Sequence, residues 1–335
     1  MKTCKVNFRQ LLRVMFSYRR RAGVAFAMLL VVVICCQPAY SLAGSKPIEV
    51  FVSILPQKYF VKRVGGELVN VHVMVGPGRS PATYEPTPKQ MAKLAQADIY
   101  FRIGTPFEDV WMRRIKATNP GLNVIDAREV VELREIEHKD FLYDSFAKRR
   151  KETRSHDHGL NDHGLKDPHI WTDPMIVKKF MGYFTSQLAL LYPRHEKVFK
   201  ANYQHFAADL DQLDQKIHAV FQDTISQDTL FQNKKSRRFL VFHPSWGYFA
   251  DRYGLVQVPI ELEGKTPNAK ELAVVIDYAK KHNIKRVFVQ QQFSQKNAQA
   301  VANAIGGTVI SVDPLAEDYL NNLLLVAQRF SGSMQ

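Results

Sequence analysis

Short apolar runs punctuate the chain at 48–54, 69–75, 98–103 and 122–125, and again at 239–242, 255–260, 285–289 and 308–312. Each has the length of a buried strand. Segments of helical periodicity lie between them, at 88–97 and 107–115 in the first half and at 268–282, 295–305 and 316–330 in the second. Strands alternating with helices predict parallel sheets covered on both faces. Four strands fall on each side of a central helical region, so the pattern predicts an α/β chain of two lobes, each a mainly parallel sheet flanked by helices. In the central region Phe199, Tyr203, Phe206, Leu210, Leu213, Ile217 and Val220 recur at alternating spacings of four and three, along one helix face. Pro193 offers a start. A helix over 194–222 would be roughly 40 Å long, and with no Gly- or Ser-rich hinge nearby it reads as a strut joining the lobes.

The first residues have a different pattern. Lys2, Lys5, Arg9, Arg13 and Arg19, Arg20 and Arg21 precede an apolar stretch at 23–36, and Ser41-Leu42-Ala43 supplies small residues for cleavage. This predicts a secretory signal over 1–43 and a periplasmic location, since a spanning helix needs ~20 apolar residues. The expected organisation is therefore a signal at 1–43, a first lobe at 44–193 with a His-rich loop at 152–166, a connecting helix at 194–224 and a second lobe at 225–335. Removing the signal changes two readings. Cys4, Cys35 and Cys36 are the only cysteines, so the remaining chain must build any metal site from His, Asp and Glu. The seven basic residues just named lower the formal charge from +14 to +7. With the remaining positive residues scattered, apart from a short basic run at 148–151, no nucleic-acid partner is expected.

Candidate chemistry centres on 156–174, HDHGLNDHGLKDPHIWTDP. Its first half repeats Asp-His-Gly-Leu and brings His156, His158 and His163 into one polar loop, readable as a metal collector or as a solvated loop. His169 differs, because it lies between Pro168 and Ile170-Trp171, where apolar packing can fix the angle of an imidazole. His243 closes the apolar run 239–242, and Asp313 follows the run at 308–312 and precedes Pro314-Leu315. Both are placed at carboxyl ends of strands, where open α/β sheets bind ligands. Taken singly, a strand-end His is also a packing residue and an Asp before Pro a helix cap.

Several segments together carry a family resemblance: Ser53-Ile54-Leu55-Pro56-Gln57, Val75-Gly76-Pro77-Gly78, Tyr84-Glu85-Pro86-Thr87-Pro88, Ala97-Asp98, Gly104 with Glu108, and the stretches 167–174, 241–247, 261–267 and 312–315. On these the chain beyond the signal resembles the metal-binding solute-binding proteins of zinc and manganese ABC importers, the zinc-uptake type in particular. The resemblance implies two α/β lobes joined by a long helix, one divalent cation bound in the cleft, delivery to an ABC permease with a cytoplasmic ATPase, and no catalysis. It implies His169, His243 and Asp313 as ligands and a monomer as the working unit. His243 stands where manganese-type relatives carry Glu, and two imidazoles with one carboxylate suit Zn2+ better than Mn2+.

One position departs from the pattern. Where similar proteins read Pro-His-x-Tyr, this chain reads Pro81-Ala82-Thr83-Tyr84. Three ligands leave a tetrahedral zinc one position short. Three outcomes stay open: water fills the position; Glu85, His72 or one of His156, His158 and His163 swings in; or tight binding is lost and the chain serves as an adhesin or interaction protein. An open zinc site with Glu85 as base would also fit a hydrolase. No H-E-x-x-H motif or nucleophile elbow accompanies it.

Overall fold

The computed structural model describes residues 46–136, 166–226, 237–261 and 267–334. The predicted signal over 1–43 and the repeat histidines His156, His158 and His163 lie outside the described residues. Among the described residues no helix is long and apolar enough to cross a membrane.

The eight apolar runs form two four-stranded, wholly parallel sheets. The first contains β1 (Ile48–Val52), β2 (Val69–Val73), β3 (Ile99–Arg102) and β4 (Asn123–Asp126) in the order β2-β1-β3-β4. The second contains β5 (Arg238–Val241), β6 (Val256–Pro259), β7 (Arg286–Val289) and β8 (Thr308–Ser311) in the order β6-β5-β7-β8. Both sheets therefore reverse strand order at the same place, between their first and third strands. At such a point the flanking connections diverge and leave a crevice at the carboxyl ends.

The strands stop short of the apolar runs because the run ends start the next element. Ser53 and Ile54 leave the ladder, donate their backbone N–H groups to Gln57 Oε1 at 2.9 and 3.2 Å, and lead into α1 (Leu55–Gly65). Pro occupies one of the first two positions of α1, α2 (Pro88–Leu94), α3 (Pro106–Thr118) and α4 (Pro174–Leu191), where its missing N–H removes no helical bond. Asp173 caps α4 by accepting from Met175 N at 2.7 Å and Ile176 N at 3.2 Å, which fixes where the His169 segment ends.

Alternate strand residues serve opposite faces. Val50, Val52, Ile99 and Phe101 point into a central core, while Phe51 and Tyr100 pack under α2 and α3. In the second sheet Phe239, Val241 and Phe288 join the same central core, and Leu240, Val287 and Val289 meet α7 (Ala269–Lys281) and α8 (Gln295–Ala304). The central core is continuous between the sheets, and α5 (Glu196–Ser226) runs through it. Its 31 residues span about 46 Å. Phe199, Phe206, Leu210, Leu213, Ile217 and Phe221 are its buried stripe. The stripe ends on Phe221 rather than Val220 because a 3.6-residue period drifts from a strict 3.5 repeat.

Contacts from α5 reach both halves. Phe206 packs on Phe60 of α1 at 5.9 Å, and Phe221 meets Phe249 of α6 (Gly247–Tyr253) at 6.1 Å. Phe60 in turn meets Tyr319 of α9 (Tyr319–Ser331) edge to face at 4.7 Å. Each such fully buried aromatic contributes roughly 1.5–3 kcal/mol. Three aspartates on α5 add directional ties: Asp209 to Arg63 of α1 at 2.5 Å, Asp211 to Lys178 of α4 at 2.7 Å, and Asp214 to Arg252 of α6 at 2.6 Å. The predicted strut is thus packed along its length rather than free between its ends.

Candidate metal centre

A cavity of about 570 Å³ opens at the carboxyl ends of both sheets. From the first sheet it is walled by Gly104 and Thr105, just past β3, and by the loop Ser80, Pro81 and Ala82. From the second come His243 and Gln290, just past β5 and β7, with Phe293, Pro314 and Leu315. His169 and Trp171 complete it. These are the two switch points of the parallel sheets, brought face to face.

His169 and His243 approach with ring centroids 5.3 Å apart and planes at 74°. Each is fixed in the same way. His169 Nδ1 lies 2.8 Å from Asp167 Oδ1, which also accepts the His169 backbone N–H at 3.0 Å. His243 Nδ1 lies 2.6 Å from Glu261 Oε2. The two carboxylates are buried, at 1% and 7% exposure. A carboxylate accepts from Nδ1–H, so the partner sets the tautomer and leaves Nε2 of each ring with its lone pair free for a ligand.

The electrostatics support that assignment. Burial acts to raise the Asp167 carboxyl, but hydrogen bonds from His169 and the Arg134 guanidinium outweigh it and hold the group below its ordinary value, ionised. Burial pushes His243 below its ordinary value, with Glu261 acting in the opposite direction, so the ring is neutral near pH 7 as a ligand must be. Arg134 Nη1 donates to Asp167 Oδ2 at 3.1 Å and its Nε reaches Asp251 at 2.7 Å, which orients the carboxylate from behind. His243 also stacks on Phe293 at 4.7 Å and 18°, and Trp171 stands edge-on to His169 at 5.2 Å.

The third predicted ligand lies nearby but is committed elsewhere. Asp313 Oδ1 accepts the Leu315 backbone N–H at 2.8 Å, and its carboxylate also takes a hydrogen bond from Gln292. Burial raises its pKa, against those two bonds. Pro314 and Leu315 line the cavity beside it. Among the described residues no three His, Cys, Asp or Glu side chains are gathered closely enough to hold an ion as they stand. The structure therefore joins two of the expected three groups.

The other candidates are placed as follows. Ala82 lines the cavity and offers no donor atom. Glu85 is exposed and does not line it. His72 sits on edge strand β2, hydrogen-bonded to Glu49 Oε2 at 2.7 Å and packed on Phe51 at 5.0 Å, and it does not line the cavity either. Neither substitute is positioned to fill the gap at Ala82, and Glu85, the base named for a hydrolase, does not line the cavity. Sequence reasoning missed Glu261 as the partner of His243. An acidic residue just past β6, the strand paired with β5, was the available signal.

A model of the family described as zinc-uptake complex component A, periplasmic, matches residues 50–331. A putative metal-binding protein of Chlamydia trachomatis is 27% identical over 286 residues, covering 85% of this chain and 91% of that protein. The high-affinity zinc uptake system protein ZnuA of Bacillus subtilis is 27% identical over 263 residues, covering 77% and 76% respectively. Among solved structures, a deletion mutant of ZnuA with zinc bound is 37% identical, superposes with a TM-score of 0.72 and covers 86% of this chain and 98% of that one. The two-lobed parallel architecture and the extent of these matches agree, and the chain belongs to the zinc-uptake complex component A family.

Proposed function

We propose that this chain is an exported receptor that captures a zinc ion in the cavity and delivers it to an ABC permease driven by a cytoplasmic ATPase. It acts as a monomer in the periplasm after loss of the signal over 1–43. His169 and His243 supply two Nε2 ligands. Asp313 becomes the third when its carboxylate turns from the Leu315 N–H toward the pair. The supporting observation is the pair of buried imidazoles, 5.3 Å apart and each backed by its own carboxylate. A packing histidine has no need of that arrangement, whereas a metal ligand is oriented by it and made more basic. Two imidazoles also favour zinc over manganese, which prefers oxygen-rich sites. Kinship with proteins named for zinc uptake supports the same reading.

Isothermal titration with zinc chloride tests it. His169→Ala and His243→Ala each lower zinc affinity at least tenfold, about 1.4 kcal/mol, without loss of the folded state by circular dichroism. Titration curves unchanged in both variants would reject the assignment.

A further inference from the structure

A second surface begins at the rim of the cavity. Pro106 and Asp109, in the first turn of α3, line the cavity, and the outer faces of α3 and its neighbour α2 lead away from it. The two helices are fastened side by side. Phe107 N donates to the Pro81 carbonyl at 3.3 Å at one end, and at the other Asn119 Nδ2 donates to the Leu94 and Ala97 carbonyls at 3.2 and 2.8 Å. Met91, Trp111 and Met112 pack inward on the cluster around Phe51 and Tyr100, which leaves the remaining helix positions facing solvent.

Those positions are predominantly basic. Arg79, Lys89, Lys93, Arg113, Arg114 and Lys116 are all exposed, and none of the six has an ion-pair partner among the described residues. The exposed acidic residues beside them are Glu85 and Asp109, and Asp109 is already held by Arg102. Scattered between 79 and 116 in the sequence, the six bases are gathered by the packing of α2 against α3. Apolar groups stand among them. Val110 is 74% exposed, Arg113 and Arg114 follow it by one turn, and the Arg114 guanidinium lies 4.9 Å from the centroid of the part-exposed Trp111 ring. Cations around an exposed aliphatic side chain and an indole are the composition of a surface that meets lipid headgroups. Spread over two helices and a turn, and not held in a fixed fork, these charges suit a field of mobile phosphates better than a single acidic side chain.

We propose that the α2–α3 face of the first lobe binds an anionic phospholipid surface, with Val110 and Trp111 at the headgroup boundary and the six bases against the phosphates. The proposal rests on the exported-receptor reading only for where such a surface is met. A receptor held this way keeps the first-lobe rim of its cavity beside the bilayer that contains the permease. Each basic residue close to an anionic surface strengthens binding roughly fivefold, and the attraction fades beyond a Debye length of about 8 Å at physiological salt.

Co-sedimentation of the mature chain with vesicles tests it, using phosphatidylcholine alone and phosphatidylcholine mixed with phosphatidylglycerol. Binding is expected on the mixed vesicles only, weakening steeply as salt is raised. Arg113→Glu combined with Arg114→Glu should lower vesicle affinity at least tenfold, whereas the same change of charge on α7, Lys270→Glu combined with Lys280→Glu, should lower it at most about twofold. Trp171 and Trp246 are buried, at 2% and 0% exposure, so a blue shift of tryptophan emission on the mixed vesicles reports Trp111 and should vanish in Trp111→Phe, which still sediments. Zinc titration of the Arg113/Arg114 variant should match the parent, which separates this surface from the cation site. Equal losses in the two charge-reversed variants, or sedimentation with no shift from Trp111, would assign the binding to net charge and overturn the face. A chain that binds zinc but no vesicles overturns the proposal and leaves the receptor reading in place.

Discussion

Replacing Glu261 by Gln preserves the shape of the side chain and removes its charge, so it isolates what the carboxylate does for His243. The Nδ1–Oε2 distance is 2.6 Å and Glu261 is nearly buried. A hydrogen bond to a charged group is worth roughly 1.5–3 kcal/mol, against roughly 0.5–1.5 for a neutral one. The Gln carbonyl can still accept from Nδ1, so the loss is the difference, about 1–1.5 kcal/mol, or about tenfold in zinc affinity. Glu261→Ala, which leaves Nδ1 unpaired, should approach the hundredfold end of the range known for such backing groups. Isothermal titration near neutral pH reads this directly. A second arm reads the acid side. Burial lowers the His243 pKa and Glu261 opposes that shift, so removing the charge drops the pKa further. Protons then compete less with zinc at a given acid pH, so the affinity deficit of Glu261→Gln relative to the parent is largest near neutrality and narrows as pH falls. Unchanged affinity at every pH would refute the pairing as the source of His243 orientation.

Gly247→Ala should disturb the other imidazole from a distance. A Cβ there would lie 1.7 Å from Arg134 Nη1 and 2.5 Å from Asp167 Oδ2, so the Arg134–Asp167 pair must move and His169 loses its backing. A stability loss of about 1–3 kcal/mol in urea unfolding, together with weaker zinc binding, is expected, and an unaltered affinity would show that His169 is held without Asp167. Asp214 gives a pH signature that is independent of the site. Burial works to raise its carboxyl, but Arg252 and Tyr253 outweigh it and hold the group below its ordinary value. A depressed folded pKa means the group contributes stability above the unfolded value near 4, and that contribution is lost as pH falls through the folded value. Asp214→Asn should therefore be less stable than the parent near neutrality and lose less on acidification, as measured by denaturant midpoints from pH 6 down to about pH 3.

The sequence carried the lobes clearly because a parallel strand buried on both faces reads as an unbroken apolar run, and all eight runs became strands. It also carried the long helix, since one stripe of large side chains from Phe199 onward has no other use. His169 and His243 were legible for a similar reason: each lies at the seam between an apolar run and a turn, where the carboxyl end of a sheet presents side chains to a crevice. The backing groups were harder to see. Asp167 is two residues from its histidine, but Glu261 is eighteen away and joins His243 only because β6 pairs with β5 in register. Nor does a pattern say whether a side chain faces the cavity or its own turn. Asp313 has the right type and place, yet its carboxylate caps the Leu315 N–H. His72 has the right type, and its alternation on β2 puts it beside Glu49 and Phe51.

How the cavity closes follows from which side chains are tied together. Trp171 Nε1 donates to the Pro314 carbonyl at 2.7 Å, Tyr319 O–H to the Trp171 carbonyl at 2.8 Å, and Tyr248 O–H to the Asp167 carbonyl at 2.9 Å. These bonds fasten the His169 segment to the second sheet and its helices, while α4, which follows it, packs through Phe180 and Phe184 on Phe101 of the first sheet. Ala82, Gly104 and Thr105 belong to the first sheet's side and face His243 and Gln290 across the cavity. We predict that a rotation of the first lobe covers or uncovers the cation without separating the two imidazoles, a movement kept small by the Phe60–Tyr319 contact and the packing along α5. A single cysteine reports it, because the chain beyond residue 43 has no other. In Ala82→Cys, maleimide labelling of the mature protein should slow severalfold on adding zinc, while His243→Ala in the same background labels at one rate with or without the ion. Labelling that zinc leaves unchanged in the parent background would mean that capture occurs on a cavity already in its final shape.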